Sequence, residues 1–599
     1  MKKVIFYSIA AAAILGSCTK DILDKRDLTG LGDETWDNES TATMFVNRIY
    51  STVMPGFPAN NGTSILPYAL HDVSDESNTT RTAAMITGTL GENAVTDFSA
   101  NPANNTNTYA NIRRCNILLT EIDKGSLPES VRNRLKAEAY FLRAWNYWCM
   151  VKLYGGVPYV TTPQAWSAEG NEEIFVKRNK TSECIDSLIR DLDLAALAPK
   201  ENIGSQPLSG RGRITRGAAM ALKGRILLHY ASPQFNPGNL PARWQAAYDA
   251  NKAAYDSLLK DGHALFNNFA AVLTEEGSSN KELIMIRSYN GSENASNSYE
   301  NQARPSSEGG GGQYQPTWDL VSAFPMKNGM AITEAGSGYD PVYYWKNRDP
   351  RFNATIVYNG EVWGLSGQAS RKQWTYTGTP NNPEGTVSNT GFYTRKGVNP
   401  ATLRVNAANG TTDWVEIRLA EVMLNLAECA NATGRTQEAY DMLTKIRQRA
   451  GITPGANSLY GLKAGMTQPE MLTAILNERR IELAFENKRY DDLRRHKLWT
   501  ALNGTRRQKL TITVKAPYNT TILNSPISPN STIKVRDTIN VEGPSYTQFF
   551  TAVVGNLDTQ PINYLDKYYF YAIPNTHLSR NPNLQNTNGW VGGTFDPLQ

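Results

Sequence analysis

The chain has 599 residues, and its 61 Lys and Arg against 56 Asp and Glu leave a net charge of only +5. That small excess, with no compact run of Lys and Arg, argues against a nucleic-acid partner. No stretch reaches the about 18 uncharged apolar residues that a membrane span needs. The length suffices for several cores, or for one helical-repeat body.

At the N-terminus, Lys2 and Lys3 precede the apolar run Val4 to Leu15, which has the length of a signal h-region and is too short to span a bilayer. Leu15-Gly16-Ser17-Cys18 then sets small residues before a cysteine, which resembles a bacterial lipobox. The expectation is a lipoprotein signal peptide over 1–17, acylation at Cys18 and a flexible lipidated tether over 18–38. Each buried lipid methylene contributes about 0.8 kcal/mol, so several acyl chains anchor firmly. Thr19-Lys20-Asp21 resembles the short signals that send some lipoproteins to the outer face of the outer membrane.

The first strong helical block runs from about Asn107 to Tyr154. Ile112, Cys115, Leu118, Leu119 and Ile122 recur at helical spacing; Leu135, Ala139, Leu142, Trp145, Cys149 and Leu153 form a second stripe. Ser126-Leu127-Pro128-Glu129 between them reads as a capping box, and Gly155-Gly156 with Pro158 ends the pair. Further helices are expected at about 184–197, 215–230 and 244–259. From 231 to 411 the chain turns rich in Asn, Gly and Ser, with the run Gly309 to Gly312 and scattered Trp and Tyr. So long an irregular insertion reads as a functional lobe of loops and short strands. Helices return over 414–432 and 437–450 about a tight Thr433-Gly434-Arg435 turn. Thr467-x-x-Glu470 then caps a helix expected to run on through the charged stretch 477–496. Cys115, Cys149, Cys184 and Cys429 lie in helical patterns without a CxxC pair and read as core thiols, with a disulfide between two of them left open.

An ordered set of motifs spans most of the chain: His71-Asp72-Val73-Ser74-Asp75-Glu76, the Glu138–Ala144 segment with Tyr154-Gly155-Gly156-Val157-Pro158, and Ala231-Ser232-Pro233-Gln234-Phe235. Asn347-Arg348-Asp349-Pro350-Arg351-Phe352, Glu416-Ile417-Arg418, Glu478-Arg479-Arg480-Ile481-Glu482 and Asn581-Pro582-Asn583-Leu584 follow. With the lipobox ahead of it, this set resembles the SusD/RagB family of outer-membrane nutrient-binding lipoproteins. The resemblance implies a mainly α, SusD-like fold: a tetratricopeptide-type scaffold of helical hairpins carrying an irregular loop and short-strand lobe. It divides the body into an N-terminal helical region, 39–270, and a second region, 271–599. The second region comprises a loop-rich lobe (271–413), helical hairpins (414–500) and an irregular tail (501–599), all in one compact body. It further implies non-catalytic capture of a glycan at the cell surface and delivery to a SusC-like TonB-dependent transporter. Rival readings are a peptide-capturing member of the same fold, an envelope glycoside hydrolase and an assembly scaffold.

Sugars present apolar C–H faces to aromatic rings and hydroxyls to polar side chains. Tyr289, Tyr299, Tyr314, Trp363, Trp374 and Tyr376 punctuate the loop-rich lobe and are the expected platform; the resemblance adds Asn78 and Arg81 from the loop after the Ser-Asp-Glu motif, on which the family's sites also draw. The resemblance implies that members reading starch-like helical glycans carry a Trp in that loop, and no Trp lies between Trp36 and Trp145, which disfavours such an aromatic arc here. No HExxH or GxSxG occurs, and no motif singles out the carboxylate pair of a glycosidase. No cofactor is expected. Asp72, Asp75, Glu76 and Asn78 are candidate oxygen ligands for a structural calcium, although the EF-hand spacing is missing and a capped turn is the plainer reading. Glu478, Arg479, Arg480, Glu482, Arg494 and Arg495 read as an ion-pair network.

Overall fold

The computed structural model describes residues 32–57, 73–78, 84–95, 97–99, 106–164, 174–197, 211–291, 296–378, 380 and 382–599. Cys18, Asp72 and Arg81 lie outside these residues, as do the signal segment and most of the expected tether. The fold begins inside that tether: Asp33–Trp36 form a short 3-10 helix, and Trp36 is buried edge-on against Phe45.

Helix α1 (Glu39–Val53) starts where the Asn38 side chain accepts the N–H groups of Ser40 and Thr41. It buries Ala42, Val46, Ile49 and Val53, alternating steps of four and three that line one face. The expected hairpin is present as α2 (Thr108–Glu121) and α3 (Glu129–Tyr154). Its capping box is not. Ser126 gives its N–H and hydroxyl to Asp37 at 2.8 and 2.9 Å, and Pro128 occupies the cap position without a side-chain bond. Helix α3 is buried nearly all round over its second half and stops at Gly155, whose φ of 75° admits no Cβ cheaply. Helices α4 (Thr181–Ala195), α5 (Arg216–Ala231) and α6 (Pro241–Lys260) follow. Gly217 and Gly224 let α6 close on α5: a Cβ on Gly224 would lie 2.5 Å from Asn251 Oδ1. Cys115, Cys149, Cys184 and Cys429 are all free and buried, so the open disulfide does not form.

Two expectations for the second half need correction. Residues 414–432 are not one helix. Trp414–Arg418 is a strand, antiparallel to Leu283–Arg287, and α7 (Leu419–Ala432) begins only after it. All five strand residues are buried, so the sequence shows no alternation to mark them. Helix α8 (Thr436–Ala450) completes a hairpin with α7. Helix α9 (Gln468–Glu482) has the expected Thr467–Glu470 capping box but ends at Glu482. Phe485 and Asn487 take φ values of 62° and 59°, which breaks the charged stretch before α10 (Arg489–Arg495).

The helices share one large apolar core, and a second gathers the loop-rich lobe around Phe324, Trp345, Phe352, Trp363, Trp374 and Phe392. Among the described residues, the strands form only two-stranded antiparallel ribbons. Buried charge fastens the lobe to the helices. Arg351, fully buried, meets Asp349 at 2.7 Å, Glu478 at 2.7 Å and Glu482 at 2.8 Å. Arg418 meets Glu282 at 2.6 Å, Glu482 at 2.7 Å and Glu486 at 2.7 Å, and Arg449 closes the ring on Glu282 and Glu482. Burial alone would raise the Glu482 carboxyl, but Arg449, Arg418 and Arg351 together hold it well below the usual carboxylate range.

The Ser-Asp-Glu motif sits against this network. Asp75 is gripped by Arg489 at 2.7 and 2.8 Å and by Arg480 at 3.0 Å. Both oxygens of Asp75 are thus occupied by guanidinium groups, and Asn78 lies in a two-residue strand paired with Gln315. Among the described residues, no group of three or more His, Cys, Asp or Glu is placed to hold a metal. The neighbouring Glu76 has one carboxylate oxygen without a hydrogen-bond partner among the described residues. Burial pushes its carboxyl up to about 7, against the opposing pull of the Phe485 backbone N–H and Lys396. The folded state therefore holds this proton more tightly than the unfolded chain. Its contribution to stability is full below the unfolded carboxylate value of about 4.3 and declines as pH rises through about 7. Glu76→Gln is expected to stabilise the protein at pH 8 by up to about 2–3 kcal/mol and to change little at pH 4.5, where both side chains are neutral. Urea unfolding at the two pH values checks this; equal effects at both would refute it.

Candidate functional site

A cleft of about 560 Å³ opens where the end of α1, the 211–213 segment and the Leu283–Arg287 strand meet. It lies beside the junction of the helical core and the loop-rich lobe. Asn47, Tyr50, Ser51 and Met54 come from α1 and its C-cap; Ser288, Tyr289 and Ser296 come from the chain after the strand.

Each wall is set by backbone anchors. Tyr289 donates its N–H to Asp413 at 2.9 Å, and its hydroxyl meets the backbone of Phe57. Phe57 lies 6.1 Å from the Tyr289 ring and stacks on Tyr299 at 4.6 Å, so Tyr289 is backed by the second core while staying half-buried. A Cβ on Gly56 would fall 2.7 Å from the Tyr289 hydroxyl, which is why the chain can pass so close there. Tyr50 accepts the Ile214 N–H at 3.0 Å, and burial together with Glu138 pushes its phenol well above its ordinary value.

Three guanidinium groups line the same cleft. Arg213 reaches Glu138 and Asn47, both at 2.6 Å; Arg211 reaches Asp413 at 2.6 Å and Glu276 at 3.1 Å. Gly212 between them takes φ 84°, a turn that sends both neighbours toward one opening. Arg287 gives one N–H to the Met54 carbonyl at 3.0 Å and lies 5.3 Å from the Tyr289 ring. Burial lifts the Asp413 carboxyl to about 6, assisted by Glu276 and opposed by the Tyr289 N–H and Arg211.

Of the expected platform, only Tyr289 stands at the cleft. Trp363, Trp374 and Tyr376 are buried in the second core, and so are Tyr299 and Tyr314. Trp374 gives its indole N–H to Asp537 at 3.0 Å and lies 5.7 Å from the Phe550 ring; Tyr376 packs 5.2 Å from the same ring. Tyr299 donates its hydroxyl to the Lys396 carbonyl at 2.9 Å. No face of these rings is open to a ligand as folded. Asn78 is buried too. The residues that sequence reasoning missed are Tyr50, Arg211, Arg213 and Arg287. The one local signal was Arg-Gly-Arg, cations flanking a flexible glycine, and Arg287 carried none.

Residues 281–590, just over half of the chain, match the SusD family, and residues 33–228 match a second family described as starch-binding associating with outer membrane. SusD-like protein P2 of Formosa agariphila is 25% identical over 457 residues, covering 74% of this chain and 80% of that protein. A SusD-like carbohydrate binding protein of Bacteroides fragilis superposes with a TM-score of 0.69 at 23% identity, over 92% of this chain and 100% of that one. Surface glycan-binding protein A from Bacteroides uniformis superposes at 0.58 and 18% identity, over 92% and 99%. The motif order, the helical-hairpin scaffold with its loop-built lobe, and the match over 281–590 agree: the chain belongs to the SusD family.

Proposed function

We propose that this protein captures a glycan at the bacterial outer membrane, without breaking it, and passes it to a SusC-like TonB-dependent barrel. The observation that carries the reading is the cleft at the junction of the scaffold and the lobe. Donors there are fixed by backbone anchors, and one half-buried aromatic ring, Tyr289, stands at its wall. Preformed concave sites with a few placed polar groups suit oligosaccharides. Membership of the SusD family and its likeness to carbohydrate-binding relatives support the same ligand class. Glycoside hydrolysis requires two carboxyl groups about 5–9.5 Å apart across a bond, one on each side. The described residues lining this cleft include neither Asp nor Glu, so binding accounts for the geometry better than cleavage does.

The test is to incubate the full-length chain in detergent with a panel of plant, host and microbial oligosaccharides. The expected result is saturable binding of at least one, with no new reducing ends. Binding of peptides alone, or release of reducing ends, would overturn it. Attachment at Cys18 completes the proposal, with the acylated residue holding the body at the membrane while it swings on the barrel. Cys18→Ala is expected to move the protein from the membrane to the soluble fraction and impair uptake, leaving glycan affinity unchanged. Retention in the membrane fraction would refute the anchor.

A further inference from the structure

The cleft has a chemistry more specific than sugar binding in general. Its described lining residues include Arg211, Arg213 and Arg287 and no carboxylate. Arg213 and Arg211 each pair with a buried acid, and Arg211 pairs also with Glu276, whose side chain is 35% exposed. The Glu138 and Asp413 side chains are 2% and 3% exposed, whereas those of Arg213 and Arg211 are 26% and 20% exposed. A ligand entering the cleft thus meets guanidinium groups, with the charge of Glu138 and Asp413 buried and that of Glu276 open beside Arg211. Arg287 goes further. Its guanidinium gives an N–H to one backbone carbonyl, at 3.0 Å, and among the described residues no carboxylate meets it. A neutral hydroxyl-lined sugar needs no such wall. A planar guanidinium matches a carboxylate or a sulfate ester through paired N–H donors, and the field of neighbouring cations adds to that attraction.

We infer that the cleft selects acidic glycans, with Arg287 as the specificity-determining residue that receives the anionic substituent of the sugar and Arg211 and Arg213 as flanking cations. This rests on the glycan-binding reading above and names its substrate class. The substituent is either a uronate carboxylate or a sulfate ester, which share the geometry that an arginine fork reads. Ser288, Tyr289 and Asn47 stand beside it to take ring hydroxyls.

Calorimetry on the full-length chain in detergent tests this with three ligands of equal length: an oligogalacturonate, a sulfated galactan oligosaccharide and a neutral galactan oligosaccharide. The inference predicts that at least one acidic ligand binds about tenfold or more tightly than the neutral one at low salt, with a preference that shrinks as salt rises. Whichever acidic ligand wins identifies the substituent. Arg287→Ala should abolish that preference, and Arg287→Lys should restore part of it, because charge survives while the fork is lost. Since Arg287 also bonds the Met54 carbonyl, melting of each variant is recorded alongside, and the Lys variant separates charge from fold. Equal binding of neutral and acidic ligands, or a preference unmoved in Arg287→Ala, overturns the inference while leaving glycan binding standing. Binding of no glycan at all overturns both.

Discussion

Arg418→Ala is expected to destabilise the protein by about 3–5 kcal/mol, the usual cost of stripping one partner from a buried ion pair. Arg418 is fully enclosed and holds three carboxylates, those of Glu282, Glu482 and Glu486. Its removal leaves Glu482 to Arg351 and Arg449, and Glu486 to Lys396, with one cation fewer than before. The pH dependence carries a definite sign. Burial raises these carboxyls, yet the arginines overcome it and hold Glu482 and Glu486 below their ordinary values. A lowered carboxyl contributes stability that is fully present above the unfolded value of about 4.3 and is lost as pH falls through the folded value. The gap between wild type and variant should therefore be widest at neutral pH and narrow in acid. Urea unfolding from pH 7 down to pH 3.5 reads this directly; a loss under about 1 kcal/mol at pH 7, the scale of an exposed pair, would show that the network is not buried as described.

Trp374→Ala is expected to cost about 3–5 kcal/mol, the range for truncating a buried large aromatic. The ring packs against Tyr376 and Phe550, and its N–H bond to Asp537 would leave that carboxylate short of a donor. Glycan affinity should stay the same, because the ring lies inside the second core and not on a wall of the cleft. Unfolding and calorimetry on the one variant separate the two roles. A sharp fall in affinity with little loss of stability would return Trp374 to the ligand platform that its sequence context suggested.

The contrast between these aromatic residues and Tyr289 shows where the sequence is legible. Helix α2 and the first half of α3 announce themselves because one face of each meets the core and the apolar residues recur with the helical period. The Thr467–Glu470 box is local chemistry and needs no tertiary context. Trp414–Arg418 hides because every residue of a fully buried strand is covered, so periodicity vanishes. The break after Glu482 hides because Phe485 and Asn487 turn left-handed without a glycine or proline to signal it. Trp363, Trp374 and Tyr376 looked exposed because no helix or long strand surrounded them. They are buried by segments distant in sequence, such as the short helix that supplies Asp537 and the strand that begins at Phe550. The cleft arginines come from two segments far apart in the chain, 211–213 and the strand ending at Arg287. Only the pairing of Leu283–Arg287 with Trp414–Arg418 and the approach of α1 bring them together.

The central claim is that a glycan sits in the cleft between α1 and the Leu283–Arg287 strand. Calorimetric titration of the full-length chain and of Tyr289→Ala with the tightest-binding oligosaccharide of the panel tests it most directly. The account predicts an affinity loss of about tenfold or more in the variant, with an unfolding midpoint within about 4 °C of wild type. An affinity unchanged in Tyr289→Ala would place the glycan elsewhere and contradict it.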